Sequence, residues 1–154
     1  MIRKVNGRRF TAPAILLATL AACSQPTDAE TALRTWLASG ARAVELEDRR
    51  ELMAMVSPDY ADARGNSRED IDRLLRLLFL REDGIRVVTR IENITVHDDS
   101  AADVMLTAAV AGNDEATLLG FSADALRFRF ELVVDGEDWL LTGARWGELG
   151  EEPR

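Results

Sequence analysis

Leu126-Arg127-Phe128-Arg129-Phe130-Glu131-Leu132-Val133-Val134-Asp135-Gly136-Glu137-Asp138-Trp139-Leu140-Leu141 decides the fold. Apolar side chains at 126, 128, 130, 132 and 134 alternate with Arg127, Arg129 and Glu131, the period of a strand with one face in a core and one in water. Asp135-Gly136 is a turn that sends the chain back, and Trp139 and Leu141 carry the inward parity into a second strand. Working backwards, Ala102, Val104, Leu106, Ala108 and Val110 alternate in the same way after a turn at Asp98-Asp99-Ser100. Before that turn Ile85, Val87 and Ile91 share one parity, whereas Ile94 and Val96 take the other. A bulge near Glu92-Asn93 reconciles them. The result is an antiparallel meander.

Upstream the period becomes helical. Thr27-Asp28-Ala29-Glu30, Asp48-Arg49-Arg50-Glu51 and Ser67-Arg68-Glu69-Asp70 each place an N-cap oxygen three residues before an acid, so each starts a helix. Leu33, Trp36, Leu37, Gly40 and Val44 form one stripe, which Glu47, Asp48 and Glu51 interrupt. A continuous helix would bury those acids, so a kink or a new helix at Asp48 is expected, ending at Ser57-Pro58. The third helix buries Ile71, Leu74, Leu75 and Leu78, shows Asp72, Arg73 and Arg76 to water, and ends near Asp83-Gly84. Helices followed by a bent meander make an α+β fold with the helices on one sheet face.

This plan resembles the nuclear-transport-factor-2-like (SnoaL-like, cystatin-like) superfamily over roughly residues 30–147. The likeness lies in the helix-kink-helix opening, the Ser57-Pro58-Asp59-Tyr60 link, the bulged first long strand and the closing Asp138-Trp139-Leu140-Leu141-Thr142-Gly143-Ala144-Arg145-Trp146. It implies a conical pocket between helices and curled sheet, in which the superfamily's enzymes use Asp, Tyr or His to move protons. Members include isomerases, dehydratases and non-enzymatic binding or assembly domains, so the fold alone assigns no activity.

The N-terminus carries a separate message. Arg3, Lys4, Arg8 and Arg9 precede an apolar run from Ala12 to Ala22, shorter than the ~20 residues a lasting membrane span needs. Leu20-Ala21-Ala22-Cys23 resembles the lipobox of bacterial lipoproteins, which implies cleavage after residue 22 and acylation of Cys23. A plain cleaved signal with a chance cysteine is the alternative. The organisation expected is a signal peptide over 1–22, lipidated Cys23 with a short linker to 28, one domain over 29–148 and an acidic tail over 149–154. Ser24, rather than Asp, after the cysteine implies the periplasmic face of the outer membrane.

Cys23 is the only cysteine, so no disulfide forms within one molecule. The mature stretch keeps all 27 acidic residues and loses four of the 19 basic ones, making it more negative than the −8 of the whole chain. Such a surface repels nucleic acid.

Few residues carry chemistry. His97 is the only histidine, at an expected hairpin turn where it would be solvated. One histidine and one acylated cysteine leave no ordinary zinc site, and no phosphate loop is present, so neither metal nor cofactor is expected. Asp59 and Tyr60, with Asp62, are weak catalytic candidates for proton transfer. The bland reading is a turn in which an Asp bonds its own backbone and Tyr60 packs at the core edge. Pairing across the Asp135–Asp138 turn gives Arg145 the inward parity. There it would need Glu47, Asp48 or an anionic ligand, and would floor a ligand pocket walled by Met53, Phe79, Phe128 and Phe130. A late bulge would instead swing Arg145 to solvent and Trp146 inward. Ala116-Thr117-Leu118-Leu119-Gly120-Phe121 reads either as a lid or partner edge or as a strand extension that plugs the cone.

Three functions fit. The first is a membrane-anchored envelope lipoprotein that binds a small apolar or acidic ligand, or a protein partner, without catalysis. The second is an isomerase- or dehydratase-like enzyme using Asp59 or Tyr60. The third is an assembly factor, a homodimer joined through the outer sheet face.

Overall fold

A computed structural model describes residues 27–81, 84–98, 100–111 and 125–154. The signal segment, Cys23 and the 116–121 stretch lie outside these residues. Three helices come first, α1 (Asp28–Glu45), α2 (Arg49–Ala54) and α3 (Arg68–Arg81), and four strands follow, β1 (Arg86–His97), β2 (Ala101–Ala111), β3 (Leu126–Asp135) and β4 (Asp138–Glu148).

Each helix begins where its cap chemistry requires. Thr27 Oγ1 accepts from Glu30 N at 3.1 Å, and Asp48 Oδ1 from Glu51 N at 2.9 Å. At α3 the reciprocal pair is complete: Asp70 Oδ2 accepts from Ser67 N at 3.0 Å and Ser67 Oγ from Asp70 N at 3.4 Å. The break between α1 and α2 is a Schellman turn. Glu47 takes a positive φ of 55°, its N–H bonds Val44 O, and Asp48 N–H reaches back to Ala43 O. The acids that interrupt the apolar stripe thus turn the chain and stay exposed. The sequence-based expectation for α3 is only partly met: Leu78 is buried, but Ile71, Leu74 and Leu75 are half-buried, and Asp72 is drawn in by Arg49 of α2 and Arg76.

The strands form one antiparallel sheet in sequence order. Its first bulge falls between Ile91 and Asn93, as the parity change in β1 predicts, leaving Glu92 as the extra residue. Leu33 and Leu37 of α1 pack on Ala102, Val104, Leu106, Leu132 and Trp139, so the core lies between α1 and the concave face. The segment after α2 lies along the outer edge of β4: Leu141 N donates to Met55 O, and Ser57 N, Ala61 N and Ala63 N donate to the carbonyls of Leu141, Thr142 and Ala144. Among the described residues, no helix is long and apolar enough to cross a membrane.

One expectation is corrected here. Arg145 does not point inward, because β4 holds a second bulge: Leu132 pairs with Leu141 but Glu131 pairs with Gly143, so Thr142 is the extra residue. Every side chain after Thr142 changes face. Ala144 and Trp146 turn into the core side, and Arg145 turns out to pair with Glu131 at 3.0 Å rather than with Glu47 or Asp48. The bulge has local support. Thr142 Oγ1 donates to Glu131 O at 3.0 Å, supplying a partner where the ladder is interrupted. Gly143 leaves room that a Cβ would contest, 3.1 Å from Glu131 Oε2 and 3.3 Å from Ala61 O.

Candidate functional site

With Trp146 turned inward, four aromatic rings line up on the concave side. Trp36 of α1 meets Phe130 edge-on at 6.4 Å between centroids, Phe130 lies 5.7 Å from Phe128, and Phe128 lies 6.4 Å from Trp146. The alternation of β3 supplies the two phenylalanines, the helical stripe of α1 supplies Trp36, and the Thr142 bulge supplies Trp146. Both terminal members carry an indole N–H that is hidden from solvent and has no hydrogen-bond partner among the described residues, as does Nε of Arg129 on the opposite face of β3. Leaving such a donor unpaired costs about 1–3 kcal/mol. The guanidinium of Arg64 lies over the Trp146 ring, 4.4 Å from its centroid.

Of the expected pocket walls, Phe128 and Phe130 belong to this run. Met53 is buried in α2, and its carbonyl accepts from Arg68 Nη2 at 2.7 Å. Phe79 packs elsewhere, with Leu78, Ile85, Val44 and Val87, and so forms a separate cluster. The floor expected of Arg145 is replaced by Trp146. Sequence reading placed Trp36 on the core stripe without a role, and met Trp146 only through the bulge alternative. The sequence signal that could have found it is Gly143, since a glycine inside a strand marks a bulge or a close approach.

The proton-transfer candidates separate. Asp59 is exposed, its backbone N–H bonded to Ser57 Oγ at 3.2 Å. Tyr60 is buried against Val56 and Ala144, beside Phe130 and Trp146. Burial first, then the charge and hydrogen bond of Asp62, push its phenol above the ordinary tyrosine value, so it stays protonated and makes a poor base. Asp62 is the residue that bonds its own backbone. Its Oδ1 accepts from Arg64 N at 2.9 Å and Asn66 N at 2.8 Å, and its Oδ2 from Asn66 Nδ2 at 2.7 Å. These bonds make it the anchor of a turn.

The convex face of the same strands is ionic. The bulged Glu92 accepts from Thr107 Oγ1 at 2.7 Å and from Arg127 at 2.6 Å; the Thr107 bond first, and then Arg127, hold its carboxyl below the usual range. Asp103 meets His97 and Arg129, each at 3.1 Å. Burial raises its pKa, but the Arg129 and His97 bonds and charges outweigh that and lower it. His97 is exposed at the end of β1 and is part of this ladder. Among the described residues, no group of three or more His, Cys, Asp or Glu converges as metal ligands do.

No family model matches the sequence, and no curated protein does. Solved structures do match. Bd1075 of Bdellovibrio bacteriovorus superposes with a TM-score of 0.67 at 12% identity over 80% of this chain, which spans only 41% of that protein. A domain of unknown function with a cystatin-like fold from Nostoc punctiforme gives 0.61 at 14% identity, covering 80% and 79% of the two chains. A Novosphingobium aromaticivorans protein whose name suggests a scytalone dehydratase gives 0.61 at 13%, covering 79% and 93%. The chain therefore has the cystatin-like, nuclear-transport-factor-2-like fold. At these identities the likeness extends to the fold alone.

Proposed function

We propose that this protein is an envelope lipoprotein, held at a membrane through acylated Cys23, whose domain binds a small apolar ligand on its concave face without transforming it. The observation that carries the binding part is the pair of buried indole N–H groups, without a partner among the described residues, at the two ends of the Trp36–Phe130–Phe128–Trp146 run. Ligand sites are mostly apolar, with a few placed polar groups that fix orientation, and this run has that composition. A dehydratase-like role finds less support, because Asp59 is exposed and the Tyr60 phenol is committed to Asp62. A homodimer joined through the convex face would have to cover the ionic ladder of Glu92, Asp103, Arg127 and Arg129. Desolvating such groups is expensive.

The anchoring part rests on the Leu20-Ala21-Ala22-Cys23 stretch, and Ser24 favours the outer membrane. Native mass spectrometry of the mature chain, extracted from membranes in detergent, tests both parts. Acylation adds a fixed mass at Cys23, and a bound ligand adds a second, dissociable mass. Recovery of the intact polypeptide from the cytosol would overturn the anchor. A ligand-free mass under gentle extraction, with no binding of added aromatic compounds, would overturn the binding domain.

A further inference from the structure

The C-terminal ends of α1 and α3 meet, because Val44 of α1 packs with Leu78 and Phe79 of α3 and with Ile85. Beside that junction three leucines turn out instead of in. Leu80 is 82% exposed, Leu46 63% and Leu77 44%. On α3 the core-facing stripe is Ile71, Leu74, Leu75 and Leu78, whereas Leu77 and Leu80 share a second face with Arg73 and Arg76, at the i, i+3, i+4, i+7 spacing of helical neighbours. Val88, Val133 and Leu149 are exposed too, but singly, on the sheet and the tail, which is ordinary. Of the acids near the junction, Glu45 accepts from Val87 N at 3.0 Å and Asp72 holds Arg49 and Arg76, while Glu47 and Glu51 stay exposed on the α1–α2 side.

The tether says what can cover the leucines. Cys23 lies four residues before the N-cap Thr27, and four residues reach at most about 14 Å. The 18 residues of α1 span about 27 Å. Acylation of Cys23 therefore fixes the start of α1 near the bilayer, and the leucines sit at the far end of the same helix. A domain standing upright on its tether leaves them in water. A domain lying along α1 sets them against lipid. Since the tether already holds the chain, this second contact is intramolecular, and a few side chains suffice for it.

Resting on the anchor proposed above, we infer that Leu46, Leu77 and Leu80 form a second, non-covalent contact with the bilayer that holds Cys23, so that the domain lies on its helices. The leucines enter the boundary between headgroups and acyl chains. The guanidinium groups of Arg42 and Arg81, exposed in the last turns of α1 and α3, meet lipid phosphates there. The whole chain carries −8, so the leucines, not attraction to anionic lipid, drive the contact. The ionic convex face of the sheet is then turned away from the membrane.

Cys23 is the only cysteine, and acylation blocks its thiol, so a cysteine introduced elsewhere is labelled alone. Leu80→Cys, Leu46→Cys and, on the convex face, Thr95→Cys each carry an environment-sensitive fluorophore in the mature chain. The three chains are reconstituted into phosphatidylcholine–phosphatidylglycerol vesicles that contain lipids spin-labelled in the acyl chain, and the intact mass of each reports acylation. Fluorophores at 80 and 46 shift to the blue and are quenched severalfold more than the one at 95. Leu77→Gln together with Leu80→Gln, in the Leu46→Cys chain, removes that excess quenching. Should Leu80→Cys fail to fold, position 46 decides. An acylated chain quenched equally at all three positions overturns the contact and leaves the anchor standing. Positions 80 and 46 shielded from aqueous iodide but not quenched by lipid mean that a second copy covers the leucines, which also overturns it. A chain without the acyl mass overturns the anchor and the contact together.

Discussion

The two faces of β3 treat polar atoms in opposite ways. On the convex side Arg127 and Arg129 are matched to Glu92 and Asp103, and Glu131 to Arg145, all at half-exposed positions where water screens what they gain. On the concave side Phe128 and Phe130 stand between two indole donors that have lost water and gained no partner among the described residues. The convex ladder is paired apart from Arg129 Nε, which is hidden from solvent with no partner among the described residues, and its exposed pairs contribute little to stability. The concave run is unsatisfied and costs stability, and a fold tolerates that cost where a site needs it. The two faces share strands, so the difference comes from which side chains the register sends to each side.

Deleting Thr142 attacks that register directly and carries the largest expected effect. Without the bulge Arg145 rotates inward and Trp146 outward, at a cost of about 3–5 kcal/mol for a buried, unpaired cation, read from urea denaturation. A loss no greater than a surface substitution would mean that the bulge does not set the two faces. Leu33→Ala, which empties a fully buried position beneath the sheet, should cost about 2–5 kcal/mol and leave the convex ion pairs in place.

Between the extremes lies the Tyr60–Asp62 pair, polar but buried. Asp62→Ala strips the acceptor from Arg64 N, Asn66 N and Asn66 Nδ2 and should cost about 1–3 kcal/mol. Tyr60 is the only tyrosine, so phenolate absorbance reports it alone. Its folded pKa is raised, so the stabilisation is complete at neutral pH and fades as pH rises above the unfolded value of about 10. Phenolate should therefore appear together with unfolding, and its appearance in a still-folded chain would show Tyr60 to be open to water.

The convex face should respond least. Arg145→Ala is expected to cost at most about 1 kcal/mol, falling as salt is added. Asp103, lowered by Arg129 and His97 against its own burial, contributes stability that is present above pH ~4 and lost as pH falls through its depressed folded value. Asp103→Asn should flatten that part of the acid denaturation curve. An unchanged acid limb would mean the ladder carries no linked protons.

The caps at Thr27, Asp48 and Ser67, the change from helical to alternating period at Ile85, the Glu92 bulge and the turn glycine at 136 were legible in the chain itself. Each depends on neighbours a few residues apart, whose sterics and hydrogen bonds are nearly the same in any fold. Three of the four rings of the candidate site were legible in the same way, Phe128 and Phe130 from parity and Trp36 from the stripe on α1. The fourth, Trp146, was not. Whether Arg145 or Trp146 faces the helices turns on one extra residue in β4, and that residue is held by partners far away in sequence. Ala61 N takes the carbonyl of Thr142, Ala63 N takes that of Ala144, and Glu131 O takes the Thr142 hydroxyl. Parity within a strand is a local property. The point at which it slips is decided only when the edge segment, the neighbouring strand and the core compete for the same backbone groups, and that competition exists only in the folded molecule.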